Sequence, residues 1–324
     1  MKLNLLTEVR SIFESLEVSY VTIDLPFRLN HVNCFMAEGE NGWTIVDAGL
    51  HNSAAENKWI PLIENKDVTQ IIITHYHPDH YGFAGKLQEL TGADVFMTET
   101  DKHTALRNWG ERNIDSLREH YYKCGIPQDV ANAMAGNEGG FNPLVTPHPR
   151  VEGDLQEGDK IVFGKYEYEV LEAPGHSDGL ICLFNKEKSV LFSTDHILPR
   201  ITPNISYHFH GEKNPLEKFL ESLKKFKRLE AEYVIPSHGK HFMNANNRID
   251  EIIHHHDERL TRLLEIIRSP SSVYDSCRHL FARNFNAHEM RFAIGETIAH
   301  LEYLVSRGEC AKQKINGVYI YTRS

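Results

Sequence analysis

Short apolar runs separated by polar turns organise the first 240 or so residues of this chain. Residues 18–23, 34–37, 43–46, 71–74 and 95–98 have the β-branched and aromatic character of strands. A second series covers 161–163, 166–171, 180–184, 190–193 and 233–235. Elsewhere the apolar period lengthens. A helix is expected between His80 and Leu90, and another starts at Asn214. There Asn214 caps, Pro215 takes the first helical position and Glu217 stands three past the cap. Leu216, Phe219, Leu220, Leu223 and Phe226 form the buried stripe of that helix. Lys224, Lys225, Lys227 and Arg228 in its last turns complement the helix dipole. Two β-rich halves with helices outside predict an α/β chain folded as an αββα sandwich.

Two further segments interrupt or extend this frame. Residues 99–150 begin polar and helical, carry Trp109, Tyr121, Tyr122, Met134 and Phe141, and then loosen through Gly136, Gly139, Gly140 and three prolines. A connection of this length reads as a cap over a site, with a dimer contact as the alternative. After residue 247 the pattern changes again, dividing the chain into a large unit, 1–247, and a small unit, 248–324. A helix containing His254, His255 and His256 runs to Ser269-Pro270. Consecutive histidines point in different directions around a helix, so they are expected on a solvated face. A second helical segment covers 276–285, and Asn286 with Glu289 starts a third. Residues 311–315 and 318–322 flank Asn316-Gly317 as a hairpin with a type I′ turn. Helices followed by such a hairpin have the order of a winged helix.

Composition narrows the function. Hydrophobic content of 41% and charged content of 25% are those of a globular protein. No apolar run is long enough for a membrane span, and the amphipathic N-terminal stretch with Glu8 and Glu14 does not read as a signal peptide. The five cysteines are scattered, as expected of reduced thiols in the cytoplasm. A net charge of −10 argues against nucleic-acid or membrane partners. Residues 250–324 hold ten Lys/Arg and ten Asp/Glu, unlike a DNA-reading wing. A small-molecule substrate is expected, and a homodimer stays open.

The chemistry concentrates in Thr74-His75-Tyr76-His77-Pro78-Asp79-His80, directly after Ile71-Ile72-Ile73. His75 and His77 are two apart, so in extended backbone they face the same way and can grip one metal. Asp79 and His80 follow Pro78, where the chain turns, and could serve a second. Imidazole and carboxylate suit zinc, iron or manganese, and two cations roughly 3.5–4 Å apart form a hydrolytic clamp. One loop cannot close a coordination shell. Three more candidates each end an apolar run: His176 in Ala173-Pro174-Gly175-His176-Ser177, Asp195 in Ser193-Thr194-Asp195-His196, and His238 in Pro236-Ser237-His238-Gly239.

These residues, in this order, resemble the metallo-β-lactamase superfamily over roughly residues 18–245. The HxHxDH motif falls at His75, His77, Asp79 and His80, the PGHS motif at 174–177, and the early Asp-x-Gly element at Asp47-Ala48-Gly49. The resemblance implies one metal held by His75, His77 and His176, and a second by Asp79, His80 and His238. Asp195 would bridge them. Two divalent ions are implied, zinc first, with iron or manganese also suited. Asp195 sets the chain apart from true β-lactamases, which lack the bridging carboxylate, and His77 from di-iron oxygen-reducing members, which carry Glu there. What remains is most like the lactamase-β-like and glyoxalase II-like hydrolases, including a winged-helix-like end. The implied reaction is hydrolysis of a thioester, ester or lactone by a metal-bridging hydroxide, with Asp79 able to relay the proton. A metal-dependent nuclease or RNA-binding hydrolase and a mono-iron persulfide dioxygenase are the alternatives. Asp47 would orient a ligating imidazole or pin the turn. His31, Asn33, Trp109, Tyr121, Tyr207 and His208 are the candidate substrate-pocket residues.

Overall fold

The computed structural model describes residues 12–110 and 114–324; most of the amphipathic N-terminal stretch lies outside them. The first sheet contains β1 (Val18–Asp24), β2 (His31–Gly39), β3 (Gly42–Val46), β4 (Val68–Ile72), β5 (Asp94–Met97) and β6 (Val151–Asp154), neighbours in that order. β1 to β3 pair antiparallel and β3 to β6 parallel. Parallel neighbours need crossovers. These are α1 (Ser53–Ile63), α2 (Pro78–Tyr81) with α3 (Ala84–Thr91), and the insertion helices α4 (Glu99–Trp109), α5 (Ile114–Lys123) and α6 (Gln128–Gly139).

The second sheet contains β7 (Lys160–Phe163), β8 (Tyr166–Glu172), β9 (Ile181–Asn185), β10 (Val190–Thr194), β11 (Tyr233–Pro236) and β12 (Phe242–Met243). Helix α7 (Pro215–Lys227) carries the chain from β10 to its parallel neighbour β11. The rest of the chain is α8 (Ala245–Ile266), β13 (Ser271–Ser272), α9 (Val273–Phe281), α10 (Ala287–Ser306), β14 (Cys310–Ile315) and β15 (Val318–Arg323). Its three strands form a separate sheet, β13-β15-β14. Asn316 and Gly317 both have positive φ, 49° and 88°, as a type I′ turn demands.

Three apolar clusters explain the layering. Phe35, Val46 and Ile72 of the first sheet meet Phe163, Tyr168, Phe192 and Ile235 of the second, with Phe35 and Phe192 edge to face at 5.1 Å. Ile45, Ile71 and Val95 pack outward onto Trp59 of α1 and Leu87 of α3. Leu171, Leu191 and Val234 pack outward onto Phe219, Leu223 and Phe226 of α7. The same cluster continues into Ile249, Leu260, Ile294 and Leu301, so the C-terminal helices share the outer core of the second sheet. This is a four-layer α/β sandwich with an extra C-terminal unit.

Several expectations need correction. The helix after His80 is two pieces, because Phe83 N–H donates to Gly49 O instead of continuing the helical ladder. Strand β6, with charged and glycine positions, gave no signal in the pattern. The residues 254–256 are not a solvated face. His254 is exposed, but His256 is fully buried and shares a hydrogen bond with His300 of α10, Nδ1 to Nε2 at 3.0 Å. Nor does the whole insertion hang over the sheet ends as a cap. Its α6 packs on α10, and Tyr121, Met134 and Ala135 enter the core that includes the C-terminal helices. Among the described residues no helix is long and apolar enough to cross a membrane, and all five cysteines are free and buried.

Candidate metal centre

Strand direction brings the chemistry together. β9 runs antiparallel to both β8 and β10, and β10 is parallel to β11, so β8, β10 and β11 end at one edge. His176 follows the end of β8, Asp195 that of β10 and His238 that of β11. His75 follows the end of β4 on the facing sheet. Three overlapping groups of possible ligand atoms result, each within 4.8 Å of one another: His75, His77 and His176; His75, His80 and Asp195; and Asp79, His80 and His238.

Asp195 occupies the middle. Its Oδ2 lies 3.4 Å from His176 Nε2 and 3.2 Å from His238 Nε2, and its Oδ1 lies 3.5 Å from His80 Nε2. Asp79 Oδ2 is 3.3 Å from His238 Nε2 and 3.8 Å from His80 Nε2. It is therefore one of the ligand-type groups, inside the cluster and not above it. The Nε2 atoms of His80, His176 and His238 and the Oδ1 of Asp195 are buried without any hydrogen-bond partner. Orphaned buried lone pairs are costly, and four of them aimed at one small volume fit a cation's donor set.

The tautomers follow from the neighbours. A carbonyl can only accept, so His176 Nδ1–H must donate to Asn204 O at 2.8 Å, and His238 Nδ1–H to His31 O at 2.7 Å. His80 Nδ1–H donates to Asp47 Oδ2 at 2.8 Å. Thr74 spends its single hydroxyl proton on Asp47 Oδ2, 2.9 Å, leaving its oxygen to accept from His75 Nδ1 at 3.1 Å. Each of these four rings thus turns its Nε2 inward. His77 turns Nδ1 inward instead, 3.1 Å from His75 Nε2.

Burial and the neighbouring carboxylates divide these imidazoles into two sets. Burial, followed by neighbouring imidazoles, pushes His75 and His77 well below the usual histidine range, so both rings are held neutral. Burial opposes charge on His80 and His238 as well, but carboxylates outweigh it. Asp47, Asp195 and Asp79 hold His80 well up, and Asp195 with Asp79 lifts His238 to about 10. Against its own burial, Asp79 is held down to about 2 by His80 and His238. A divalent ion would supply the same positive charge in place of those protons.

Backbone and second-layer residues fix this arrangement. Asp47, fully buried with φ 61°, also accepts from Thr74 N at 2.9 Å, so it both orients His80 and pins the turn. Gly175 has φ 133°, and a Cβ there would lie 2.4 Å from Phe219 Cβ, so α7 rests directly on the His176 loop. One such residue escaped the sequence reading. Asp101 of α4 accepts from Tyr76 N at 2.9 Å, Ser177 Oγ at 2.7 Å and Gly179 N at 2.8 Å, joining the loops of His75 and His176. Burial dominates its ionisation and lifts it to about 6. Its position three past the helix cap Thr98 disguised it as an ordinary first-turn acid.

The candidate pocket residues separate. His208 is placed beside the site, its Nε2 3.4 Å from Tyr76 Oη. Together with Tyr76, Arg107 and Asp178 it lines a hollow of about 280 Å³ whose wall is α4. The others face elsewhere. Trp109 is 5% exposed and spends its Nε1–H on Tyr76 O at 3.0 Å, buttressing the ligand loop from behind. Tyr121 is 3% exposed in the core against Phe209. Tyr207 packs on the C-terminal unit, its N–H bound to Gly295 O. Asn33 is 1% exposed and donates to Pro236 O and Gly239 O, while His31 Nε2 accepts from Gly239 N at 3.0 Å. These two clasp the His238 loop, and their remaining polar atoms are taken up by Asn30 Oδ1 on His31 Nδ1 and by Thr22 Oγ1 on Asn33 Oδ1.

The sequence profile described as Metallo-beta-lactamase superfamily matches residues 28–238, and one described as Metallo-beta-lactamase-like, C-terminal domain, matches residues 260–324. A beta-lactamase domain protein from Burkholderia ambifaria superposes with a TM-score of 0.85 at 30% identity, covering 95% of this chain and 92% of that one. Among curated proteins, the Probable metallo-hydrolase YqjP of Bacillus subtilis is 23% identical over 89% of this chain and 92% of its own length. Acyl-coenzyme A thioesterase MBLAC2 of Gallus gallus is 51% identical over 176 residues, 51% of this chain and 57% of that protein.

Proposed function

Because the chain belongs to the metallo-beta-lactamase superfamily, we propose that this metallo-hydrolase cleaves an acyl thioester with two zinc ions. The observation that carries the proposal is the pair of three-residue ligand groups joined at Asp195, with inward Nε2 atoms that nothing in the protein satisfies. His75, His77 and His176 would hold one ion, Asp79, His80 and His238 the other, and Asp195 would lie between them. When bound, such a pair supplies a water of lowered proton affinity and polarises an acyl carbonyl. The protein's own residues do the rest. Asp47, Asn204 and His31 hold three imidazole planes so that their Nε2 atoms converge. Asp79, a member of the second group, would also accept a proton from an attacking water and pass it to the departing sulfur. The hollow bounded by Tyr76, Arg107 and His208 would take the part of the substrate beyond the carbonyl.

The thioester preference over ester or lactone rests on the thioesterase relative and on the unbasic C-terminal unit, which does not favour phosphodiesters. A zinc-loaded sample tested on acyl-CoA and acylglutathione thioesters, a lactone and a phosphodiester decides the matter. Thioester turnover at least tenfold above the others is the expected result. Phosphodiester cleavage with steep salt dependence would replace it by a nuclease reading. Sulfur-dependent oxygen uptake with a single iron would replace it by a dioxygenase.

A further inference from the structure

The C-terminal helices reach the metal centre without touching it. The loop that follows Asp195 lies along α8 and α10 and is gripped by both. Arg248 of α8 donates from Nε to Leu198 O at 2.7 Å and from Nη2 to Ile201 O at 2.9 Å. Gly295 of α10 accepts from Tyr207 N at 3.0 Å, and a Cβ on it would come within 2.6 Å of Ser206 Oγ. Only the absence of a side chain there lets the loop approach the helix so closely.

Within this seam both ends of one amide are committed. Asn204 Oδ1 accepts from Ser206 Oγ at 2.5 Å, and its Nδ2 donates to Glu296 Oε2 at 3.0 Å. Glu296 is 8% exposed, and its other oxygen is ion-paired with Arg259 of α8. The buried His256–His300 hydrogen bond ties α8 to α10 one turn further along. The carbonyl of this same Asn204 is the acceptor for His176 Nδ1–H. An unbroken path therefore runs from the ion pair between two C-terminal helices to the ring of a candidate ligand.

We propose that Glu296, through Asn204, is a positioning residue for His176, so that the C-terminal unit completes the metal centre instead of merely covering the catalytic sheet. The proposal rests on the metal assignment made above. It predicts a selective effect, because only His176 is oriented this way. His80 and His238 are held by Asp47 and by His31.

The test uses the full-length chain loaded with zinc and titrated with a chromogenic chelator, alongside the visible spectrum of the cobalt-substituted form. Wild type should release two equivalents. Asn204→Ala and Glu296→Ala should each release one equivalent at about tenfold lower chelator, because the main-chain carbonyl that holds His176 stays but loses the side-chain anchor that fixes it, with the other unchanged. Their cobalt spectra should shift. Glu296→Gln, which keeps an oxygen for Asn204, should behave nearly as wild type. If Glu296→Ala does not fold, Asn204→Ala and Glu296→Gln still carry the comparison. Wild-type release from Asn204→Ala overturns the proposal, as does equal loss of both ions in step with a lowered melting temperature. A wild-type protein that retains no stoichiometric zinc would instead overturn the metal assignment itself.

Discussion

The two sheets furnish the candidate ligands in opposite ways. The first supplies His75, His77, Asp79 and His80 from one loop, whereas the second supplies His176, Asp195 and His238 from three separate strand ends. Support follows the same division. In the first sheet Asp47 serves two rings, His80 directly and His75 through Thr74. In the second, each ring has its own distant holder, Asn204 for His176 and His31 for His238. A compact ligand loop can share one buttress. Dispersed ligands need one each, and those are recruited from elements remote in the chain.

Substitutions should expose that contrast. The largest effect is expected from Asp195→Asn, which removes the carboxylate lying between both groups. Turnover should fall by more than about 100-fold, beyond the range of outer-shell changes, with elemental analysis showing both ions loosened. Unchanged metal content and rate would reduce Asp195 to a strand-end residue. Next comes Asp47→Ala, which should weaken both ions by up to about 100-fold because His80 loses its acceptor and Thr74, which holds His75, loses its own. Loss of only one ion would break the claim that the first sheet shares its support. Asn33→Ala should be milder, about tenfold and confined to the ion held by His238, because Asn33 clasps only that loop. Chelator titration reads all three.

The smallest effect concerns acid. Burial holds His300 down to about 3, and His256 is pushed well below the usual range. Depressed histidines contribute stability that is present above the unfolded value near 6.5 and is lost as pH falls towards the folded value. Between pH 6.5 and 4, wild type should lose up to about 1.4 kcal/mol per pH unit for each such ring. His300→Gln should show a shallower slope in denaturant titrations. Taking the difference between the two proteins cancels the titration of the metal ligands. Parallel slopes would show that this seam does not sense pH.

What the chain reveals on inspection follows the same division. The ligand loop is legible because its chemistry is contiguous, and the strand ends are legible because each apolar run stops at a ligand-type side chain. The hairpin at Asn316-Gly317 is legible because its turn needs two positive φ values. Asp101 was hidden because a first-turn acid is ordinary, and only the fold reveals that its carboxylate faces Tyr76, Ser177 and Gly179. His256 was hidden by its two neighbours, since a run of three histidines carries no sign of which one faces inward. Trp109 and Tyr121 were misassigned for a related reason. An aromatic in an insertion serves a pocket or a core equally well; here Tyr121 joins a core shared with helices that come much later in the sequence, and Trp109 joins the core behind the first sheet.

Those sequence distances also set an order of assembly. The bond that steadies His80 spans 33 residues, and the one that steadies His238 spans 207. Closing the longer loop costs roughly 1.6 kcal/mol more chain entropy, a modest sum because the cost grows only logarithmically. The longer closure also joins the start of the second strand to the end of the eleventh, so it requires the two sheets to have docked. A folding chain can therefore gather its first imidazoles while the sheets are still apart. The last ring takes its place only when the molecule has closed on itself.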